Sequence, residues 1–265
     1  MKLGIICNRP TREDVAFARD LGLEFIEACA NNDNDSESFV STYKDKCALL
    51  AEYGLSYGSV GRWNSTIIRD GKIIGKEYEI NKALLDTAIE IGSPTFVCGC
   101  NYDENTSKFR NYSAAIEYFG RLTDAARGTG TKIAVCNCDW NNFIIDIPSW
   151  EIVLGEIPDL MIKFDASHSY KAGRDYLREL ADWGGRFAHV HIKGYVRNNG
   201  NHISDPPAGL DSLDWGAVFA GLYHHGYDGC LSIEPHSGPW SLGSDLGKAG
   251  VRFTADFVRR FMLTK

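Results

Sequence analysis

The sequence predicts an α/β protein in which eight parallel strands close into a (β/α)8 barrel. Three observations point there: short apolar, β-branched runs recur along the chain, segments of helical period separate them, and 265 residues suit that architecture, which takes about 250. The strand-like runs cover residues 3–7, 25–29, 55–60, 95–100, 132–136, 161–165, 187–192 and 230–234. Helical spacing is read over 12–21, 39–53, 77–91, 112–127, 176–183, 215–223 and 246–261. Thr11 followed by Glu13 and Asp14 opens the first helix, and Gly22, Gly54, Gly92 and Gly226 stand where helices should stop. Nearly continuous apolar strands are those covered on both faces, which requires a parallel sheet with helical crossovers. No linker or shift in composition divides the chain, so residues 1–265 are expected to form one domain. The long irregular stretches 61–75 and 194–211 each follow a strand, on the side where such barrels carry their sites.

Composition narrows the function classes. With 44% hydrophobic and 24% charged residues the chain can bury a large core, which excludes a disordered or fibrous protein. A net charge of −7 and the lack of any concentrated basic stretch argue against a nucleic-acid partner. The opening MKLGIICNRP has too short an apolar run for a secretory signal or membrane span, so the expectation is a cytoplasmic protein with no membrane partner. Eight cysteines in a chain of this size without such a signal are expected to be free thiols.

In a parallel barrel, polar residues at the C-terminal ends of strands face the site. Asp165, His191, Glu234 and Cys136 end, or nearly end, strands 6, 7, 8 and 5. Carboxylates and an imidazole converging from several strands make a candidate divalent-cation site, because a cation offsets the repulsion of gathered anions. His189 shares a strand face with His191, and His191 is preferred only because it lies nearer the strand end.

These residues carry a resemblance. FDASH with Asp165 and His168, HVHIKG with His191, the segment 209–229 and SIE with Glu234 resemble the sugar phosphate isomerase/epimerase family, the xylose isomerase-like TIM barrels, over essentially the whole chain. The resemblance implies a metal bound by Asp165, His191 and Glu234, with Glu234 also a proton-transfer group and His168 near the substrate hydroxyls. It also implies a substrate-orienting role for Arg197 and, for Glu27, contact with substrate or support behind the ligands. The chain departs from the family pattern at strand 5, where the expected glutamate is Cys136. Three readings follow: a thiolate ligand that favours zinc, three protein ligands completed by water, or a site without metal. The metal, taken from Zn, Mn, Mg and Co, stays open.

The chemistry expected of such a site is an isomerase or epimerase acting on a small sugar, sugar phosphate or polyol through proton transfer beside a polarised carbonyl. Glu234 is then the base, His168 and Lys193 are polar partners, and Trp63, like Trp140 and Trp240, offers a ring to a sugar face. A dehydratase or lyase needs only one base and so tolerates Cys136 better. A sugar-binding protein without catalysis is the alternative from another class. The expected partner is a small carbohydrate, and a homo-oligomer is compatible with all three.

Overall fold

In a computed structural model describing residues 1–236 and 238–263, eight parallel strands form one closed barrel. They are β1 (Lys2–Ile6), β2 (Phe25–Cys29), β3 (Ser56–Arg62), β4 (Thr95–Cys98), β5 (Lys132–Cys136), β6 (Met161–Asp165), β7 (Phe187–Ile192) and β8 (Cys230–Ile233). Each pairs with its neighbours in chain order, and β8 closes on β1 with Leu3 opposite Leu231 and Ile5 opposite Ile233. The helices α1 (Arg12–Asp20), α2 (Asp33–Glu52), α3 (Gly75–Glu90), α4 (Lys108–Ala126), α5 (Ile147–Glu156), α6 (Ala166–Lys171), α7 (Tyr176–Trp183), α8 (Trp215–His224) and α9 (Gly247–Arg259) lie between and after the strands. Their apolar faces join the outward strand residues in one large core that includes Phe96, Phe119, Trp150 and Phe219.

All eight strands occur where the apolar runs predict them, and helices α2 and α4 start earlier than their apolar periodicity does. Their first turns are polar and are held by caps: Asn32 accepts from the Asp35 amide, and Ser107 accepts from that of Arg110. Two helices, α5 and α6, had no counterpart in the periodicity. The start signal of α5 is nonetheless in the sequence, since Asp146 and Ser149 form a capping box beside Pro148. The four glycines expected to stop helices all have left-handed backbone. Stretches 61–75 and 194–211 each contain a two-stranded hairpin, Ile68–Arg69 with Lys72–Ile73 and Val196–Asn198 with Asn201–Ser204. All eight cysteines are free. Among the described residues no helix is long and apolar enough to cross a membrane.

The lower barrel interior depends on a missing side chain. A Cβ on Gly58 would lie 2.3 Å from Cδ2 of the buried Phe25 ring, and the same ring blocks a Cβ at Gly4. Gly58→Ala is therefore expected to cost about 1–3 kcal/mol by overpacking. Urea unfolding checks this, and an unchanged midpoint would show that Phe25 is free to move aside.

Candidate active site

Strand register places the polar residues in two levels. Cys136, Lys163 and His189 are consecutive partners across β5, β6 and β7, and Asp165 pairs with His191 one level nearer the strand ends. A register irregularity between Ile162 and Lys163 falls just before these positions. The Glu234 amide donates to the Ile192 carbonyl, so its carboxylate stands one residue beyond β8.

Asp165 does two jobs. Its Oδ1 accepts from the Ser167 amide at 2.9 Å and from the Ser167 hydroxyl at 2.6 Å, which caps α6. Its Oδ2 is buried without a hydrogen bond and faces Lys193 Nζ at 3.3 Å, His168 Nε2 at 3.5 Å and Lys163 Nζ at 3.9 Å. Lys193 Nζ also lies 3.4 Å from Glu234 Oε2 and 3.1 Å from His168 Nε2. An ammonium only donates, so His168 accepts through Nε2 and carries its proton on Nδ1. Burial and the neighbouring Lys193 push the His168 imidazolium down to about 3, so the ring is neutral near pH 7. Burial opposes ionisation of Asp165 and Glu234, but Lys193 leads the charges that outweigh it and hold both below the usual carboxylate range. These two carboxylates outweigh the burial of Lys193 and keep its ammonium above its ordinary value.

Beneath lies a second carboxylate–imidazole group. Glu27 is fully buried, with Oε2 2.7 Å from His189 Nε2 and 3.0 Å from His191 Nε2. The other nitrogen of His191, Nδ1, is 2.9 Å from Glu234 Oε2. Burial raises Glu27, and the two imidazoles outweigh that and bring it well below its usual value. Burial lowers His191, and Glu27 leads the charges that overcome it, so this ring is held above its ordinary value. Trp63 covers the group, its ring centroid 5.4 Å from that of His191 and 5.0 Å from Lys163 Nζ.

Above Trp63 opens a pocket of about 630 Å³, lined among others by His168, Lys193, Glu234, Tyr195 and the exposed Trp140. Of the residues expected from the sequence, Trp63, His168, Lys193 and Glu234 line it, whereas Asp165, His191 and Glu27 lie beneath. Glu27 thus lies beneath the groups that line the pocket. Arg197 sits on the hairpin outside the lining residues, its guanidinium 4.2 Å from the centroid of the Tyr170 ring. Lys163, which strand alternation puts on the face of Asp165, joins the site without a strand-end position to mark it in the sequence. At the rim, His202 and His236 each lie 3.3 Å from Asp205 Oδ2, a group that comes together only through loop folding.

Three sets of possible metal donors have their atoms within 4.8 Å of one another: Asp165–His191–Glu234, Glu27–His189–His191 and Cys138–Asp139–His168. The first is the set named by the resemblance. Cys136 joins none of these sets among the described residues, which corrects its expected place as a ligand. It packs in an apolar cluster with Cys29, Trp63 and Val97, takes a 3.7 Å contact from the Asn142 amide, and is pushed by burial up to about 12, so it stays a thiol. The first set does not fit a divalent ion as it is folded, because the Lys193 ammonium already lies between its two carboxylates. At about 4 Å and an effective dielectric of about 20, an ammonium repels a divalent ion by about 8 kcal/mol, twice the unit-charge value.

Comparison with known proteins agrees with this architecture. No curated protein matches the chain. Among solved structures, 3-keto-D-glucoside 4-epimerase YcjR from E. coli is 17% identical with a TM-score of 0.76, over 98% of this chain and 99% of that one. D-allulose 3-epimerase from Methylomonas sp. is 19% identical with a TM-score of 0.76, over 99% and 98%. The probable 3-DHS dehydratase AsbF from Bacillus anthracis is 15% identical with a TM-score of 0.75, over 98% and 99%. At these identities the likeness is one of fold. The family described as the xylose isomerase-like TIM barrel matches residues 15–260, and the chain belongs to it.

Proposed function

We propose that the protein is an isomerase or epimerase of a small sugar, sugar phosphate or polyol, moving a proton at a carbon next to a carbonyl. The observation that carries this reading is the row of three groups at the pocket floor: Glu234 ionised, Lys193 charged and His168 neutral, with Lys193 touching both others. A carbonyl oxygen facing Lys193 would bring its neighbouring C–H toward Glu234. That bond breaks, the proton passes to the carboxylate, and the electron pair moves onto the oxygen, where Lys193 stabilises the charge. As the oxygen engages Lys193, Glu234 loses part of the charge that depresses its proton affinity, so it becomes a stronger base when substrate is bound. Return of the proton to the former carbonyl carbon, with the neighbouring hydroxyl's proton passing to the first oxygen, gives an isomer, and protonation of the original carbon from the opposite face by water, to which Glu234 then returns its proton, gives an epimer. Trp63 and Trp140 offer aromatic surface to the sugar. A divalent cation (Zn, Mn, Mg or Co) on Asp165, His191 and Glu234 is the other source of positive charge that the resemblance implies, and it requires Lys193 to leave. Supporting the reading, proteins named as sugar epimerases share this fold.

A second reading, dehydration, needs only one base and is favoured by Cys136, which stands in place of the expected strand-5 glutamate and is not among the pocket's lining residues. Incubation with a panel of ketoses, aldoses and their phosphates in D2O separates the outcomes. Solvent deuterium beside the carbonyl, in a product otherwise of unchanged mass, is expected. A product lighter by one water selects dehydration, and neither change on any sugar, alongside measurable binding, would leave a carbohydrate-binding protein.

A further inference from the structure

We propose that this site takes its positive charge from the chain itself: the Lys193 ammonium, with Lys163 behind it, stands where a divalent cation would be bound, and the site takes a carbonyl-bearing carbohydrate without metal. The inference deepens the function proposed above, rests on its choice of pocket, and is tested by metal content independently of turnover.

Three observations carry it. Lys193 Nζ is within 3.3–3.4 Å of an oxygen of each carboxylate that would ligate the ion, which is the spacing of ion pairs. Lys163 is buried, 3.9 Å from the same oxygen of Asp165, and its strand partner is Cys136. A thiol thus replaces an expected carboxylate where the adjacent strand carries an ammonium, and the interior is more positive on both counts. Finally, both nitrogens of His191 face carboxylate oxygens, Nδ1 that of Glu234 and Nε2 that of Glu27, at 2.9 and 3.0 Å. Each ring nitrogen thus already has a carboxylate oxygen at hydrogen-bond distance. Around the three carboxylates Asp165, Glu234 and Glu27 the chain supplies two buried lysines of its own, and a divalent cation would have to enter beside them.

Metal analysis of wild-type protein purified without chelator, followed by melting with Mn²⁺, Co²⁺ or Zn²⁺, tests the assignment. Expected are fewer than about 0.1 equivalents of metal and a melting midpoint unmoved at about 1 mM ion. In Lys193→Met the two carboxylates lose their counter-charge. This variant is expected to bind Co²⁺, seen by visible absorption, and to gain about 5 °C in midpoint with the ion, whereas Lys193→Arg keeps the charge and stays metal-free. Near-stoichiometric metal in the wild type, or a midpoint that rises with Mn²⁺ there, overturns the proposal. So does a folded Lys193→Met that takes up no Co²⁺. If Lys193→Met does not fold, wild-type metal content decides alone. Turnover that survives EDTA supports both proposals, and turnover abolished by EDTA overturns this one while leaving the proton-transfer function standing. Absence of turnover in a metal-free protein removes the function and leaves the charge assignment intact.

Discussion

Glu234→Gln is expected to lower turnover by about 10²–10⁴-fold on whichever sugar the wild type converts, the usual contribution of a positioned base. The substitution keeps the shape of the side chain and removes its ability to take a proton. It also removes one of the two negative charges on Lys193, whose remaining carboxylate is Asp165 at 3.3 Å. The ammonium is then freer to bind substrate oxygen, so KM should change little while kcat falls, the pattern of an interaction used in the transition state. Rates of deuterium exchange beside the carbonyl should fall in parallel with kcat, because both begin by breaking the same C–H bond. A Glu234→Gln enzyme that exchanges deuterium at the wild-type rate would remove Glu234 as the base and shift attention to His168 or to the rim carboxylate Asp205. A circular dichroism melt accompanies the kinetics so that loss of fold is not mistaken for loss of chemistry.

The barrel was legible because its physics is local. A strand covered on both faces must be apolar throughout, and eight such runs alternating with helical segments leave few other architectures. Helix α5 escaped because it is densely apolar and short, which blurs the 3.6-residue period, although its capping box and Pro148 were there to be read. Asp165, His191 and Glu234 stand out in the sequence because each lies at or beside the end of a strand, on the side where barrel sites form. Lys163 could not be weighted in the same way. Alternation aims it inward, but only the register of β5, β6 and β7 shows that it sits between Cys136 and His189. The choice between His189 and His191 likewise needed side-chain geometry: both reach Glu27, and only His191 also reaches Glu234. Closure of the lower cluster by Trp63 is a contact between distant segments, and nothing in the local sequence announces it.

Glu27→Ala is expected to destabilise the fold by about 3–5 kcal/mol, the cost of removing one partner from a buried charged group. Two imidazoles at 2.7 and 3.0 Å would lose their shared acceptor in a place without solvent. His191 would keep Glu234, whereas His189 would keep no partner among the hydrogen bonds described, since its Nδ1 already has none. The truncated side chain also leaves a void in the barrel interior, which adds to the loss. Glu27→Gln separates charge from shape: its amide oxygen can still accept from one ring, so its cost should be well below that of alanine, and the difference estimates what the carboxylate contributes. Urea unfolding of the three proteins at pH 7 measures the series, with the alanine midpoint in a melt lower by about 10 °C. If alanine and glutamine variants both melt like the wild type, the buried carboxylate is not a structural support, and Glu27 must instead be kept for a ligand that reaches beneath Trp63. If alanine is strongly destabilised and glutamine retains turnover, Glu27 acts by holding His191 in place, which is the role its position below the pocket gives it.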